Sequence, residues 1–292
     1  MVNALPQNPR EIRRRIKSFQ NTAQITKAME MVAAAKLRRV QEAVQQSKPY
    51  LEKLQDMLAD VSRSARFVRH PLLAERPVRK TGYLVITSDR GLAGAYNANV
   101  IRRTLQETRN RDNSSYTIFA VGRKGRDFFQ RKAYPLGGEA TGLPDSPTYP
   151  NISALAAQVI TAYGNEEFDE LYLAYNEFVN AVTQQTVVKK VLPLGRARDR
   201  EDQDRVRTNY LYEPDEETVL SAMLPKYAQT LVYQAVLDAK ASEHGARMTA
   251  MGNATDAAKD MIESLTLALN RARQAAITTQ IAEVVGGAEA LK

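Results

Sequence analysis

The sequence predicts an α/β chain in which an open, Rossmann-like sheet domain is inserted between two long terminal helices that pair as an antiparallel coiled coil. Three observations carry this. Apolar or small residues recur at alternating spacings of three and four from Ile12 to Val61, which is the seam of a coiled coil. The same spacing returns from Leu220 to Ala290. Between the two seams the apolar period shortens to that of strands. The chain divides accordingly into a first helix over 1–66, a linker over 67–80, an α/β domain over 81–195, a charged loop and linker over 196–217, and a closing helix over 218–292.

The first seam includes Ile12, Ile16, Phe19, Leu37 and Val40, with Thr26 and Glu30 as polar entries. The closing seam includes Ile262, Leu265 and Leu269, with small residues such as Ala258, Ala272 and Ala276 that allow close approach. Polar seam residues, Gln234 among them, fix register at some cost in stability. At about 1.5 Å rise per residue the closing stretch makes a rod on the order of 100 Å long. Since globular helices usually run about 8–20 residues, such a rod is expected to project into something large. Gly245 and Gly252 lie within it; each lowers helix propensity by roughly 1 kcal/mol relative to Ala, either for torsional compliance or to admit a close neighbour.

Short runs rich in β-branched and aromatic residues, Tyr83–Thr87, Tyr116–Val121, Leu171–Tyr175 and Thr186–Leu192, read as strands. They alternate with helical stretches near Ala98–Arg109, Lys124–Lys132 and Ile152–Tyr163, so the sheet is open with crossover helices and its last strand antiparallel. Pro and Gly punctuate 134–150, which reads as loops. Arg196–Arg207, charged with balanced signs, reads as a mobile loop.

Composition narrows the chemistry. The 292 residues are 43% hydrophobic and 25% charged, a globular class of about two structural units. Cysteine is absent and His70 and His244 are the only imidazoles, which excludes disulfides, thiolate catalysis and a histidine-rich metal site. The first residues lack the apolar core of a secretory signal, and eighteen apolar residues nowhere run together. The net charge is +8, and residues 1–66 alone carry thirteen Lys and Arg against six acids. A basic rod seeks acidic surfaces.

The turn Ser88–Asn97 follows the first strand and opens a helix, where a phosphate-cradling loop would sit. Its glycine spacing matches neither dinucleotide nor P-loop patterns. Gly91 and Gly94 are expected to supply permissive backbone and Asp89 to bond local amides. Arg123, Lys124 and Arg126 read as a solvated basic cluster. No carboxylate pair or nucleophile elbow stands out, so no catalytic residue, cofactor or metal is expected. Met29, Met31, Met248, Met251 and Met261 suit either a core or a surface that meets several partner geometries.

Two segments, QNTAQITKAMEMVAAAKLRR (Gln20–Arg39) and ARMTAMGNATDAAKDMIESLTLALNRARQAAITTQIAEVVGGAEAL (Ala246–Leu291), resemble the signature segments of the gamma subunit of F-type ATP synthase. TSDRGLAGAYN (Thr87–Asn97) resembles that family's first strand-and-turn motif. The resemblance implies a non-catalytic rotor shaft that couples proton flow to conformational change at beta-subunit sites and regulates ATPase activity. It implies as partners a hexameric ring of alpha and beta subunits, an epsilon subunit and a membrane c-ring. It also implies a peripheral position at the cytoplasmic face of a bacterial cell membrane, with no nucleic acid and no direct membrane span. By the same resemblance, Met29, beside Lys27 and Glu30, and Arg247, Arg273, Gln274 and Thr278 are catch contacts to acidic loops of beta. The guanidinium chemistry suits this, because Arg binds a carboxylate through two parallel bonds. The turn departs from the family in reading GLAGAYN where many relatives have cysteine and paired glycines, and His244 stands where many carry a charged or amide residue. Without cysteines, the thiol switch of chloroplast members is excluded.

Two other classes compete. A nucleic-acid-binding coiled coil would show steep salt-dependent DNA binding, although no recognised motif or interleaved aromatics support it. A nucleotide-dependent enzyme on the central sheet would show saturable nucleotide binding.

Overall fold

The computed structural model describes residues 8–64, 70–194, 213 and 215–289. The charged run Arg196–Arg207 and the end of the closing seam at Ala290 lie outside the described residues. Helix α1 spans Pro9–Ser64 and helix α5 spans Glu216–Glu289. Between them come β1 (Thr81–Ile86), α2 (Tyr96–Thr108), β2 (Tyr116–Val121), α3 (Arg123–Arg131), β3 (Leu136–Ala140), α4 (Tyr149–Gly164), β4 (Glu170–Phe178) and β5 (Gln184–Leu192). Contacts divide the chain into two compact units, one formed by the start of α1 up to Val32 with α5 from Met248 on, the other by residues 33–247.

In the first unit the helices run antiparallel. Thr26 meets Thr255 in the seam, and Glu30, four residues further along α1, faces Gly252, three residues back along α5. Ile12, Thr26, Met251, Thr255, Ala258 and Leu265 are buried, and Ile16, Phe19, Ile262 and Leu269 are half-buried. The periodic stripe continues in the sequence through Ala276, Thr279, Glu283 and Gly286, yet all four are exposed. This corrects the expected extent of the coil. Among the described residues the antiparallel partner helix begins at Pro9 and is used up near Ala272, and a seam stretch that meets no partner buries nothing.

In the second unit the sheet order is β3-β2-β1-β4-β5, with β1, β2, β3 and β4 parallel and β5 antiparallel to β4. Crossover helices follow β1, β2 and β3, as parallel pairing requires. Alternation sorts the sheet's side chains. Leu84 and Ile86 join a core with α4 and with Leu220, Leu224 and Val236 of α5, while Tyr83 and Val85 face Val100 of α2 and Phe129 of α3. The lower part of α1 packs here as well: Leu37 and Val40 contact Leu237 and Ala241 of α5. Ser47 Oγ donates to Gln234 at 2.9 Å and Gln55 Nε2 to the Tyr227 hydroxyl at 3.1 Å, so this stretch is also antiparallel.

Strand β3 lies inside the Pro- and Gly-rich stretch read as loops. Its sequence, LGGEA, has little strand propensity, but it is an edge strand beside β2. Its glycines are required by that neighbour. A Cβ at Gly137 would stand 2.6 Å from Thr117 Oγ1, and one at Gly138 3.1 Å from the Phe119 ring.

Candidate functional site

In a sheet of this order the strand direction of winding reverses between β1 and β4, and the crevice beyond their C-terminal ends is where such folds take ligands. Here the chain's own helix α5 occupies it. The Tyr96 hydroxyl, at the start of α2, donates to the Ala239 carbonyl at 2.9 Å. Arg247 Nη2 donates to Gly91 O at 3.3 Å, and a Cβ at Gly245 would lie 3.3 Å from Ala181 O in the β4–β5 turn.

The turn after β1 is organised by its own side chains. Asn97 Oδ1 accepts from the Ser88 amide at 2.9 Å. Asp89 Oδ1 accepts from the Arg123 and Gly142 amides at 3.0 and 3.1 Å. A carboxylate therefore already sits at the N-terminus of α3, where a phosphate would otherwise be favoured. The left-handed backbone falls at Leu92 and Gly94, with φ of 63° and 56°; Gly91 does not share it. Gly122 has φ 86° and no space for a side chain, since a Cβ would meet Thr87 O at 2.2 Å. The basic cluster that follows is not purely solvated: Arg126 pairs with Asp127 at 2.8 Å and Arg123 lies 3.5 Å from Asp89.

Around Arg247 a cluster of charges is buried. Glu243, with only 4% of its side chain exposed, takes Lys240 Nζ at 3.1 Å on one oxygen and Arg247 Nη2 at 2.8 Å on the other. His244 Nε2 lies 3.2 Å from Asp145 O, and its Nδ1 lies 3.4 Å from Arg247 Nη1. A guanidinium cannot accept, so Nδ1 is the acceptor and Nε2 carries the proton donated to Asp145 O. Burial lowers the His244 pKa, Glu243 opposing and Arg247 reinforcing it. Burial would raise the Asp145 carboxyl, but the Lys36 ammonium 2.7 Å away brings it below its ordinary value.

The remaining candidate contacts lie in the first unit, and they do not form one cluster. Met29 is half-buried on α1, beside the Lys27–Glu30 pair at 3.1 Å. Arg273, Gln274 and Thr278 are exposed near the end of α5. They lie some twenty residues beyond Gly252, the neighbour of Glu30, or about 30 Å along the helix. Thr278 Oγ1 donates to Gln274 O at 3.0 Å. Among the methionines Met251 is buried, whereas Met31 and Met261 are exposed.

A family profile described as ATP synthase matches residues 8–291. A relative described as "ATP synthase gamma chain", from Brevibacillus brevis (strain 47 / JCM 6285 / NBRC 100599), is 54% identical over 283 residues, which are 96% of this chain and 98% of the relative. The chain belongs to the ATP synthase gamma-chain family.

Solved structures agree with the family fold. The central stalk and c-ring structure of the Tetrahymena thermophila mitochondrial ATP synthase contains a chain 27% identical, with TM-score 0.61 over 79% of this chain and 99% of that one. A chain of the Euglena gracilis mitochondrial ATP synthase has TM-score 0.68 at 21% identity, over 97% of this chain and 94% of that one. The far end of α5 is exposed. Ile277, Ile281, Val284 and Val285 stand exposed there beside Arg273, Gln274 and Thr278. Among the described residues no helix is long and apolar enough to cross a membrane.

Proposed function

We propose that this chain is the non-catalytic rotor shaft of an F-type ATP synthase at the cytoplasmic face of a bacterial cell membrane. Proton flow through the membrane sector turns a c-ring, which carries the chain and an epsilon subunit. The turning coil imposes different conformations on beta-subunit sites of an alpha–beta hexamer, and its contacts regulate ATP hydrolysis.

One observation carries this reading beyond family membership. Helix α5 runs on past the start of α1 and presents apolar Ile277, Ile281, Val284 and Val285 with polar Arg273, Gln274 and Thr278 to the outside. An apolar stripe on a lone helix is stable only inside a sleeve. A sleeve that lets the helix turn requires attachment through contacts that can be exchanged. Arg273, Gln274 and Thr278 serve as such contacts to acidic loops of beta, with Met29 packing at a second level. Arg247 is already engaged by Glu243 and Gly91, so it acts as a catch by exchanging Glu243 for a carboxylate of beta. In this reading 1–66 and 218–292 form the coil and 81–195 the body that meets epsilon and the c-ring, with linkers at 67–80 and 196–217.

Reconstitution tests the reading. The chain is mixed with alpha and beta subunits, the complex isolated, and ATP hydrolysis measured with and without it. A stoichiometric complex whose sustained turnover requires the chain, and whose coupling falls on Arg273→Ala with Gln274→Ala, supports the shaft. Failure to form a complex, with ATPase activity indifferent to the chain, sinks it.

A further inference from the structure

At the end of α2, on the second unit, a groove of about 430 Å³ is lined by Arg102, Arg109 and Arg111 together with Leu105, Tyr116 and Tyr134. All three arginines are exposed, and none forms an ion pair among the described residues. Two of them are held by neutral oxygens. Arg111 Nη1 donates to Thr81 Oγ1 at 2.7 Å, and Arg102 Nη2 donates to Asn99 Oδ1 at 3.1 Å. A guanidinium oriented by a hydroxyl or an amide keeps its full charge and its remaining donors, unlike one neutralised by a carboxylate. Arg103, on the same helix, shows the contrast: it pairs with Glu107 at 2.8 Å and does not line the groove.

We propose that this groove binds a phosphate-bearing anion. Three arginines line a space of the size small-molecule sites occupy, roughly 300–1,000 Å³. A single carboxylate brings one negative charge, whereas a phosphate monoester or a pyrophosphate brings two or more and offers several oxygens to planar donor forks. Tyr134 and Leu105 supply an apolar wall for whatever the phosphate is attached to. The Tyr116 hydroxyl donates to Asn113 Oδ1 at 2.7 Å, so its oxygen is fixed at the floor of the groove. The inference is independent of the rotor reading, since it uses neither the coil nor any catch residue. The phosphate can belong to a soluble ligand or to a lipid headgroup, and the two are separable.

The test uses the full chain, with inorganic pyrophosphate in calorimetry and anionic vesicles containing phosphatidylglycerol in sedimentation. Saturable binding of pyrophosphate, weakened at least about tenfold by Arg102→Gln or Arg111→Gln and unchanged by Arg103→Gln, is the expected result. Binding to pyrophosphate without vesicle association assigns a soluble phosphate. Vesicle association that pyrophosphate displaces, with the same dependence on Arg102 and Arg111, assigns a headgroup. Equal weakening by Arg103→Gln would mean general attraction to a basic surface and overturns the site. So does the absence of both kinds of binding, or binding of an acidic peptide alone, in variants whose circular dichroism and melting match the parent.

Discussion

The hydroxyls of Thr26 and Thr255 meet 2.7 Å apart inside the coil. Each also reaches its own helix, Thr26 Oγ1 to Thr22 O at 3.0 Å and Thr255 Oγ1 to Met251 O at 2.9 Å. With Thr26 Oγ1 also 3.2 Å from Ala23 O, two hydroxyl hydrogens serve four contacts, so one threonine donates across the seam and the other donates back along its helix. Buried polar pairs of this kind define which residues can face each other.

Replacing one partner and replacing both therefore have different consequences. Thr26→Val or Thr255→Val alone is expected to cost about 1 kcal/mol, because a buried hydroxyl loses its cross-seam partner. The double variant removes both needs together and is expected to cost less than the sum of the singles. Urea denaturation of the four proteins checks this. Strict additivity would mean that the two hydroxyls do not interact.

The two glycines of α5 separate into different cases. A Cβ on Gly252 would sit 3.7 Å from the Glu30 carboxyl carbon, an ordinary contact. Gly252→Ala is thus expected to stabilise the helix by about 0.5–1 kcal/mol. At Gly245 a Cβ would come within 3.3 Å of the Ala181 carbonyl oxygen, so the propensity gain is offset by displacement of backbone and the net change is near zero or unfavourable. Thermal unfolding distinguishes them, and equal gains at both sites would contradict the packing argument at Gly245.

The coil was legible because a heptad stripe is a long-range signal: every described seam residue from Ile12 to Leu58 is buried or half-buried. Its upper limit was not, because burial also depends on where the partner begins, and the stripe in α5 continues beyond the reach of α1. Four strands announced themselves through β-branched and aromatic runs. β3 did not, since the residues that place it there, Gly137 and Gly138, are chosen by the Phe119 and Thr117 side chains of its neighbour. Asp89 was readable as a residue bonding local amides, but its reach to Gly142 depends on loops distant in sequence. The inward engagement of Arg247 has a local signal in the sequence, its four-residue spacing from Glu243.

That spacing has an energetic consequence. Glu243 holds both Lys240 and Arg247, whose side chains are 7% and 12% exposed. Glu243→Gln keeps the shape but removes the carboxylate that two largely buried cations share, and is expected to destabilise the chain by about 2–4 kcal/mol. Adding Lys240→Met, which removes one of those cations, is expected to recover part of the loss. Denaturant unfolding measures both; a loss under about 0.5 kcal/mol would place the cluster in effective contact with water.

Half-buried Asp238 and buried His244 on α5 give stability opposite pH dependences. Burial pushes the Asp238 carboxyl up to about 6, with Glu177 adding to the shift while Lys189, Gln234 and Lys48 oppose it. An acid whose pKa rises on folding contributes stability fully below its unfolded value of 3.8 and loses that contribution as pH climbs through about 6. His244 is the reverse. Its pKa is lowered from 6.5 by burial, with Glu243 and Asp145 opposing and Arg247 reinforcing, so its contribution is complete above 6.5 and declines as pH falls below that value. Protonating Nδ1 would set a second cation and a second donor against the Arg247 guanidinium, which is the geometric reason for the decline. Between pH 6.5 and 4 the two terms partly cancel in the parent. Asp238→Asn is expected to raise stability at pH 7 by about 1–3 kcal/mol and to expose the histidine's slope. His244→Gln, which can still donate to Asp145 O, is expected to remove that slope. The check is unfolding free energy against pH for the parent and both variants; a histidine variant whose curve parallels the parent's from pH 7.5 to 5 would show that His244 does not titrate with folding.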